Sequence, residues 1–574
     1  MNDSVYVLGV HDGHNCGATL VRDGAVIASV SEERLTRVKN EVGYPRLAID
    51  EVLRLGGIDA RALAAVAYAS LFMHARETLQ NIDTWYPVGL REQQAAAAKQ
   101  KDYDRIIFET RKRERIEQVR EHIGVDAGHV HFVEHHLAHL AAAYFTAPTV
   151  PDGAPVLGLT CDGAGDGLCA TVSVCRGTAI ERLAQTDRHA SLGKIYSRVT
   201  YLMGMKPWEH EYKLMGLAPY AEPERAARAA EPLRRLLGLT DDGLSFRCRT
   251  ELSTNYCYEY LRDAFERVRF DEMAAATQIV TEEMIVAWVR SAIARTGIRH
   301  LVCGGGVFMN VKANMLIAGL PEVESLWIMP SASDESLSIG SALHAYHARG
   351  TGTERAQSVL ANLYLGGTFD RDAEARTIER AVGGGVTVRE SNDVDADIVD
   401  LLCAGEIVAR SRGRMEWGAR ALGNRSLLAS ADDWRVVDRL NRSIKQRDFW
   451  MPFAPSIRSE SAGRYFDDPK DLKPWFMTLA YRATPDGTRD LAAGSHPRDG
   501  TIRPQVVTRE ANPDYHRVIS LFERRTGRGG VLNTSFNLHG EPIVHTPEDA
   551  VSTFLRSGLQ HLALNHFILS KDAA

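Results

Sequence analysis

The segment Glu134-His135-His136-Leu137-Ala138-His139 contains three closely spaced histidines. On a helix, His135 and His139 lie four residues apart and project from one face, a spacing suited to holding one metal ion. Asp162 and Asp334 are candidate oxygen ligands from elsewhere in the chain. Such a site suits iron(II), manganese or zinc, and the residues alone leave all three open. Zinc proteases carry glutamate directly after the first histidine, where this chain has His136, so that class is not favoured. Taken alone, the histidines could also be ordinary packed or surface residues.

Two glycine-rich turns are candidates for phosphate binding. The first is Asp162-Gly163-Ala164-Gly165-Asp166-Gly167, and the second, Gly304-Gly305-Gly306, follows an apolar run. Glycine lets backbone N–H groups come close to phosphate oxygens. Asn310 follows the second turn as a hydrogen-bonding group. Neither turn matches the Walker A or Rossmann pattern, and many glycine-rich loops are only turns.

A set of basic motifs lies in the last third of the chain. Its members are Arg414, Arg420 and Arg425 within 413–426, Lys445, Arg447, and Arg503 within 499–505, while Asn533, Ser535 and Asn537 add amide and hydroxyl groups. Arginines among glycines, aromatics and prolines predict a shaped anion pocket, because a guanidinium can hold phosphate or carboxylate through two parallel hydrogen bonds. The alternative is a scatter of surface ion pairs.

The elements that must position these residues occur twice. Apolar runs predict strands over 5–10, 16–21 and 25–30, with a polar turn at 11–15 and a tight turn at Asp23-Gly24. About 150 positions later, an apolar run at 156–159, the loop 162–167 and a second run at 168–174 repeat this order. We therefore expect two related halves facing a shared cleft. Helices are predicted over 103–123 and 273–294, a strand over 300–303, and a linker over 350–353.

Composition limits the class of protein. A chain of 574 residues is long enough for two or more domains, and its net charge of −6 gives no reason to expect a nucleic-acid partner. The eight cysteines form no C-x-x-C pair, which favours reduced thiols. The start resembles no signal peptide, and no apolar run reaches the length of a membrane span. We expect a cytoplasmic protein without a membrane partner.

Together these motifs resemble the O-carbamoyltransferases of the NodU/CmcH family, which includes enzymes that carbamoylate tobramycin, cephems, ansamycins and macrolide sugars. The resemblance rests on Asp12-x-His14, 31–37, His135-x-x-x-His139, 213–220, 304–310, Asp334, the arginine motifs at 413–426, 445–455 and 499–505, and 533–537. It implies an α/β fold in two domains. Residues 1–355 would form a duplicated actin/sugar-kinase-like ATPase domain. Residues 356–574 would form a carbamoyl-phosphate-binding α/β domain that resembles the tRNA threonylcarbamoyl-AMP synthase fold.

The resemblance also implies a two-site reaction. Carbamoyl phosphate is cleaved in the C-terminal domain, and carbamate passes internally to the N-terminal domain. There ATP, with magnesium, converts it to carbamoyl adenylate. A hydroxyl of the acceptor, expected to be a glycosylated antibiotic, then attacks the carbonyl carbon.

Each candidate residue takes a role from the same resemblance. His14 would be the general base, oriented by Asp12, and Lys39 would bind the acceptor. The metal ligands would be His135, His139, Asp162 and Asp334. The nucleotide would contact Gly163, Gly165, Gly193, Gly305, Gly306 and Asn310, and carbamoyl phosphate would contact Arg420, Lys445, Arg447, Arg503, Asn533, Ser535 and Asn537. Many members have an arginine six positions after the lysine, where this chain has Met451. We expect Arg447 or Arg425 to compensate.

Three other functions remain open from the sequence. A metabolite kinase on the same ATPase fold would release ADP and leaves the arginine motifs unexplained. A tRNA threonylcarbamoyl modification enzyme would explain both domains, but the acidic net charge argues against it. A metal or nucleotide sensor would perform no reaction. The segment 72–96, with Trp85 and Tyr86, either lines an acceptor site or packs on its domain.

Overall fold

The computed structural model describes residues 4–97, 100–148, 153–350, 359–383 and 385–572. By its internal contacts the chain divides into two units. Unit 1 contains Met1–Glu32 and Glu41–Leu360, and unit 2 contains Glu33–Asn40 and Ala361–Ala574. The predicted domain boundary between 355 and 356, and residues 351–353 of the predicted linker, lie outside the described residues.

The first sheet of unit 1 has five strands in the order β3-β2-β1-β4-β5. Its strands are β1 (Tyr6–His11), β2 (Gly17–Arg22), β3 (Ala25–Ser31), β4 (Leu63–Ala69) and β5 (Val130–Val133). The first three pair antiparallel, and β4 and β5 continue from β1 in parallel. The strands predicted over 5–10, 16–21 and 25–30 are confirmed to within one residue at each end.

The second sheet of unit 1 repeats this plan. Its strands are β6 (Val156–Gly165), β7 (Leu168–Arg176), β8 (Ala179–Asp187), β11 (His300–Gly304) and β12 (Ser325–Ile328), and β9 (Leu237–Leu239) pairs separately with β10 (Phe246–Cys248). The order β8-β7-β6-β11-β12 matches that of the first sheet, again with three antiparallel strands followed by two parallel ones. The predicted duplication is therefore confirmed.

Two helices of unit 1 each pack on the sheet of the other half of the duplication. The helices of this unit are α2 (Arg46–Gly56), α3 (Arg76–Gln80), α4 (Leu90–Ala97), α5 (Gln100–Ile123), α6 (His135–Thr146), α7 (Leu192–Leu202), α8 (Glu211–Leu217), α9 (Pro223–Ala229), α10 (Glu231–Leu236), α11 (Tyr258–Ala264), α12 (Phe270–Thr296), α13 (Val311–Ala318) and α14 (Leu337–Arg349). Helix α6 follows β5 but packs on β6 and β11, whereas α14 follows β12 but packs on β1 and β4. The two helices also contact each other, so they form an inner layer between the two sheets. The predicted helices over 103–123 and 273–294 correspond to α5 and α12.

Glycine permits the closeness of this inner layer. A Cβ atom at Gly340 of α14 would lie 1.8 Å from the carbonyl oxygen of Ala138 in α6. One at Gly9 of β1 would lie 1.9 Å from the carbonyl oxygen of Ser338. Any side chain at either position would push the helix outward, because atoms in contact are normally about 3.5 Å apart or more. The starts of α6 and α14 are thereby held near each other.

Unit 2 is built on an eight-stranded sheet in the order β13-β22-β21-β14-β15-β20-β16-β19. Its strands are β13 (Val386–Glu390), β14 (Val408–Ser411), β15 (Arg425–Ala429), β16 (Ala454–Arg458), β19 (Gln505–Val507), β20 (Gly530–Ser535), β21 (His561–Ala563) and β22 (Phe567–Lys571), with β17 (Tyr481–Arg482) and β18 (Thr501–Ile502) paired separately. Its helices are α1 (Glu33–Thr36), α15 (Arg371–Ala381), α16 (Val394–Cys403), α17 (Arg435–Leu440), α18 (Ala462–Tyr465), α19 (Pro485–Asp490), α20 (Pro513–Thr526) and α21 (Pro547–Arg556). Ile398, Val518 and Phe522 from α16 and α20 bury their side chains in one core with Val531 of β20. The predicted α/β class is confirmed for both units.

Two further predictions concern cysteines and membranes. All eight cysteines lie in the described residues as free thiols, in keeping with the expectation of reduced cysteines. Among the described helices, none combines the length and the apolar character that crossing a bilayer requires.

Candidate functional site

Four side chains of unit 1 converge as the sequence predicts. His135 and His139 lie on the first two turns of α6, Asp162 lies in β6, and Asp334 lies just before α14. Each offers one ligand atom, and these atoms all lie within 4.8 Å of one another. The Nε2 atom of His135 is 3.3 Å from Asp162 Oδ2, and that of His139 is 3.5 Å from Asp334 Oδ1. The inner layer thus joins ligands from both halves of the duplication.

The hydrogen bonds behind the histidines suit metal binding. Ser336 donates its hydroxyl hydrogen to the carbonyl of Ser333, so its oxygen is available to accept from Nδ1 of His139 at 3.2 Å. Nε2 of His139 is buried and faces Asp334. Similarly, Nδ1 of His135 lies 2.9 Å from Ser70 Oγ, which directs its Nε2 toward the aspartates. Histidines that bind metals are commonly fixed through the second ring nitrogen in this way, so the residues fit a divalent ion.

Two local features hold His135 in place. A Cβ atom at Gly165 would lie 2.1 Å from the His135 ring, so glycine makes room for the imidazole. Asp166 accepts hydrogen bonds from the backbone N–H groups of His135, Leu71 and Phe72 at 2.8, 2.7 and 2.8 Å. It thereby ties the start of α6 to the segment that follows β4.

The protonation of the cluster reflects its charges. Burial is the largest single effect and works against the charged forms of both partners, but the hydrogen bond between His135 and Asp162 and the surrounding opposite charges together outweigh it. That bond, together with the charges of Asp334 and Asp166, raises the pKa of His135 to about 9. The histidines in turn hold the pKa of Asp162 far below its usual range. A metal ion would take the place of the proton that His135 holds.

The predicted nucleotide-binding glycines surround Asp162. Gly306 donates its N–H to Asp162 Oδ1 at 2.9 Å. A Cβ atom at Gly193 would lie 2.9 Å from the Asp162 carbonyl, and one at Gly305, where φ is +99°, would lie 2.4 Å from the Cys161 carbonyl. Both positions therefore need glycine for close backbone approach. The Gly163 carbonyl accepts from Ser191, the N-cap of α7.

Asn310 lies at the start of a helix near the second glycine turn. Its side-chain oxygen accepts from the N–H of Ala313, which caps α13. Its amide also exchanges hydrogen bonds with Gln278 at 2.8 and 3.0 Å. In this structure Asn310 is engaged within the protein, and its predicted contact with the nucleotide stays a prediction.

Lys194 directly follows Gly193 and belongs to the same cluster. A Cβ atom at Gly163 would lie 3.9 Å from its Nζ atom. Burial and the charge of Arg198 lower the pKa of Lys194 to about 8, even though Asp162 acts in the opposite direction. A half-buried amine beside the glycine turns is suited to bind phosphate oxygens.

Asp12, the predicted partner of the base His14, binds a buried arginine. Both oxygens of Asp12 accept from Arg115, at 2.9 and 2.8 Å, and the pair is buried. Arg115 also donates to the carbonyls at the end of β4 and stacks on Tyr68. Asp12 therefore orients Arg115, and the expectation that it also orients His14 stays a prediction. His14 is half-buried, and its ring contacts Trp208 with the centroids 5.0 Å apart.

His11 lies between His14 and the metal cluster. Its Nε2 atom is 3.0 Å from the carbonyl oxygen of His14 and 3.9 Å from Asp334 Oδ2. Burial lowers the pKa of His11 to about 4, so its ring is neutral at pH 7. A neutral His11 can donate Nε2–H to the His14 carbonyl and thereby fix the turn that carries His14.

In unit 2, five cations lie close enough for their charges to act on one another. The charged neighbours that act on Arg503 are Arg420 and Arg447, and those that act on Lys445 are Arg447 and Lys39. Burial, and then these like charges, lowers the pKa of Lys445 and of Arg503 well below their usual values. Gathering like charges is unfavourable unless an anion lies among them. The predicted anion pocket is thus supported by position and by charge.

Polar side chains complete this pocket. Lys445 donates to Ser535 Oγ at 2.9 Å and to Asn537 Oδ1 at 2.8 Å. Arg447 donates to Thr534 Oγ1 at 3.2 Å. Asn533, by contrast, is buried, and its amide donates to Ala421, Ser456 and Gln505 inside the unit. We interpret Asn533 as a support for the pocket rather than a contact of the anion.

Comparison with known proteins matches both units to one family. The family model described as "Carbamoyltransferase N-terminus" matches residues 6–343, and "Carbamoyltransferase C-terminus" matches residues 399–571. The chain belongs to the carbamoyltransferase family. It is therefore an enzyme, and the resemblance to the NodU/CmcH group is confirmed.

Relatives of this carbamoyltransferase include nodulation and antibiotic proteins. It is 31% identical to nodulation protein NolNO of Sinorhizobium fredii, over 98% of this chain and 80% of the relative. It is 32% identical to an uncharacterized protein of Synechocystis, over 98% and 95%. It is 32% identical to 3'-hydroxymethylcephem-O-carbamoyltransferase of Streptomyces clavuligerus, over 50% and 51%. Among solved structures, full-length HypF matches 61% of this chain and 57% of its own, at 16% identity and a TM-score of 0.36.

The structure bears on two predicted details of the anion pocket in unit 2 of this carbamoyltransferase. Arg425 donates through Nε and Nη1 to the carbonyls of His545, Arg412, Gly413 and Asn424, so these donors are used inside unit 2, and its compensation for Met451 stays a prediction. Arg447 lies in the cation pocket and remains a candidate. Lys39, predicted to bind the acceptor, belongs to unit 2, where its charge acts on Lys445. Its contact with the acceptor stays a prediction.

The sequence reasoning missed three residues that shape these sites. Lys194 directly follows Gly193 in 191–196, which could have marked it as a candidate residue, but no sequence spacing connects it to the metal cluster. His11 adjoins the Asp12-x-His14 motif and was treated as part of a turn. Glu416 is buried and accepts from the N–H groups of Leu422, Asn424 and Arg425. It thereby shapes the loop that carries Arg420.

Proposed function

We propose that this carbamoyltransferase moves the carbamoyl group of carbamoyl phosphate, by way of carbamoyl adenylate made with ATP, to a hydroxyl of a natural product. The observation that carries the proposal is the presence of two distinct sites in one chain. Unit 1 has a metal-ligand cluster ringed by glycine turns, and unit 2 has a pocket of cations. A single-step transfer would need no separate anion pocket.

The unit 2 pocket would bind carbamoyl phosphate and release carbamate. Arg420, Arg447 and Arg503 would hold the phosphate oxygens, since guanidinium groups bind such oxygens through paired hydrogen bonds. Lys445, fixed by Ser535 and Asn537, would complete the site. Water attacks the carbonyl carbon, the bond to the bridging oxygen breaks, and carbamate and inorganic phosphate result. The cations favour this step because they stabilise the leaving phosphate.

Unit 1 would then activate the carbamate. A carboxylate oxygen of carbamate attacks the α-phosphorus of ATP, so that carbamoyl adenylate forms and pyrophosphate leaves. Gly193, Gly305 and Gly306 bring their backbone turns close around Asp162 and Cys161, and the nucleotide would lie beside these turns. Lys194 is suited to neutralise the phosphates. A divalent ion held by His135, His139, Asp162 and Asp334 would supply further positive charge at the phosphates when bound. We propose iron(II) for this site and magnesium with the ATP.

Transfer to the acceptor requires removal of one proton. His14 is the candidate base, because an imidazole titrates near neutral pH and this one is half-buried in the same unit as the cluster. The acceptor hydroxyl loses its proton to His14 as its oxygen bonds to the carbonyl carbon, and AMP leaves. His11 would keep the turn of His14 in position through the carbonyl contact.

The acceptor and the compartment are also proposals. A glycosylated antibiotic is supported by the likeness to a cephem O-carbamoyltransferase, and an oligosaccharide by the likeness to NolNO. A cytoplasmic location is supported by the free thiols. Membership of the carbamoyltransferase family argues against a metabolite kinase or a non-enzymatic sensor. The net charge of −6 argues against a tRNA substrate, and filter binding to bulk tRNA over a range of salt concentrations tests it.

The deciding experiment incubates the purified protein with carbamoyl phosphate, ATP and a panel of hydroxylated metabolites. We expect AMP and pyrophosphate that appear only with carbamoyl phosphate, and an acceptor heavier by one carbamoyl group in the mass spectrum. Release of ADP with a phosphorylated acceptor would instead indicate a kinase. Absence of both AMP and carbamoylated product from the whole panel would refute the proposal.

A further inference from the structure

A row of aromatic rings in unit 1 begins at the metal cluster and ends at His14. It consists of Phe72, His74, Trp85 and Trp208, which we call the aromatic wall. Neighbouring rings along the wall have centroids 4.8, 5.2 and 5.9 Å apart, and Trp208 is 5.0 Å from His14. The wall starts next to Asp166, which binds the N–H groups of both His135 and Phe72. One end of the wall is therefore tied through Asp166 to His135, and the other end contacts His14.

The rings of the wall keep part of their surface open. Phe72, Trp85 and Trp208 are half-buried and His74 is exposed, while Val42, Met73 and Leu79 pack behind them as a small buried core. Rings used only as core would be covered by other side chains, as Tyr86 next to Trp85 is. The wall thus offers partly open aromatic rings beside His14, with successive rings set at 85°, 60° and 81° to each other.

The backbone of Trp208 supports a functional reading of this wall. Its φ is +66°, in the left-handed region that bulky residues rarely adopt, and the N–H is held by Glu211 Oε1 at 2.8 Å. Strained residues of this kind cluster at binding and catalytic sites, because the surrounding structure must hold them there. A tryptophan needed only for packing would be favoured at an unstrained position.

The charges around the wall limit what can bind. Asp166 and Glu211, two carboxylates that contact it, have oxygens already engaged by backbone N–H groups. The ammonium group of Lys194 lies 5.7 Å from the centroid of Trp208. A polycationic acceptor, such as an aminoglycoside, would need free carboxylates and would be repelled by Lys194. A neutral ring has neither requirement, and it can stack on aromatic faces.

We propose that the aromatic wall is the acceptor subsite of this enzyme, and that the acceptor carries its hydroxyl next to a neutral ring with a flat apolar face. Both an aryl ring and the C–H face of a sugar ring present this chemistry. The inference rests on the proposed function, because it takes His14 as the base that the acceptor must reach. It adds the substrate class, which the family does not give.

The test measures binding to the full-length protein by isothermal titration calorimetry. The probe is 4-nitrophenyl β-D-glucopyranoside, a neutral molecule with both ring types, and kanamycin is the polycationic comparison. We expect the glucoside to bind more tightly than kanamycin. Methyl β-D-glucopyranoside and 4-nitrophenol then show which ring the wall holds. Kanamycin binding as tightly as the glucoside, or tighter, would overturn the proposal.

Variants connect this binding to the wall. Trp208→Gly removes the ring and suits a positive φ, so relief of backbone strain offsets part of the packing lost against the small buried core, and we expect a folded variant with a loss of glucoside affinity of about tenfold or more. Trp85→Ala should weaken binding less, since it lies farther from His14 along the wall. Phe270→Ala removes an aromatic side chain of unit 1 that is 50% exposed, and it serves as the control with wild-type affinity. Wild-type affinity in both Trp208→Gly and Trp85→Ala would also overturn the proposal.

A second measurement keeps this inference separate from the proposed function. Exchange of labelled pyrophosphate into ATP, dependent on carbamoyl phosphate, needs no acceptor. If the wild type lacks this exchange but binds the glucoside through Trp208, the adenylate mechanism fails and the ring subsite stands. If exchange is present in all variants and glucoside binding ignores Trp208, the ring subsite fails alone.

Discussion

The steric role of Gly165 gives a sharp prediction about metal binding. In Gly165→Ala, the new Cβ atom would lie 2.1 to 2.4 Å from three atoms of the His135 ring. Atoms in contact sit near 3.5 Å, so the ring would have to withdraw by roughly 1 Å. Metal-ligand distances tolerate only about 0.2 Å. We therefore expect His135 to be lost as a ligand, and the affinity for the metal to fall by about 100-fold or more.

The measurement is the metal content and affinity of the purified protein. Wild type and variant are loaded with iron(II), manganese, cobalt or zinc, dialysed, and analysed by mass spectrometry of the metal and by chelator competition. Gly167→Ala is the matched control, because Gly167 lies in the same hairpin with φ of +85° and no atom within 4 Å of its Cβ position. It should cost stability of about 1 kcal/mol through backbone strain and leave metal binding intact. Wild-type affinity in Gly165→Ala would refute the assignment of His135 as a ligand.

Three further predictions test the two sites. His14→Asn should lower the rate of transfer by about 10²- to 10⁴-fold while pyrophosphate exchange persists; loss of exchange as well would contradict its role as base. Arg503→Ala should raise the KM for carbamoyl phosphate by about 10- to 100-fold. The control Arg435→Ala, whose side chain is 89% exposed, should leave this KM unchanged. If the KM of Arg503→Ala equals that of the wild type, the phosphate binds elsewhere. Because the neighbouring aspartates raise the pKa of His135 to about 9 against the opposing effect of burial, metal binding at pH 7 should release about one proton. Titration calorimetry in buffers of different ionisation enthalpy measures that proton, and binding without release would contradict the pKa shift.

The sequence predicted the parts of the fold and site that depend on short-range pattern. The repeated strand–turn–strand order of 5–30 and 156–174 led to the duplicated sheets, because alternation and Asp-Gly turns are local signals. The spacing of His135 and His139 fixes their common face on α6 once a helix forms. Asp162 and Asp334 came from the resemblance, and the structure brings them to the histidines.

What the sequence missed depends on pairing between distant residues. Asp12 and Arg115 are far apart in sequence, and nothing in either motif indicates that the arginine takes both carboxylate oxygens. Arg425 belongs to an arginine-rich motif that predicts anion binding, yet its Nε and Nη1 donors end on backbone carbonyls. The type of a side chain indicates which groups it can bind, whereas tertiary packing decides which of them it meets.

The short segment Glu33–Asn40 has a consequence for dissecting the enzyme. It is encoded within the first tenth of the gene but counts among the residues of unit 2, where Arg34 donates to the Gly418 carbonyl and Arg37 to those of Pro542 and Ile543. A truncation made between the two family regions would strip those carbonyls of their donors and remove Lys39 from the phosphate-binding half. Separately expressed halves should therefore fail to reconstitute turnover when mixed. Any division of the gene into two parts would have to carry this segment with the later part.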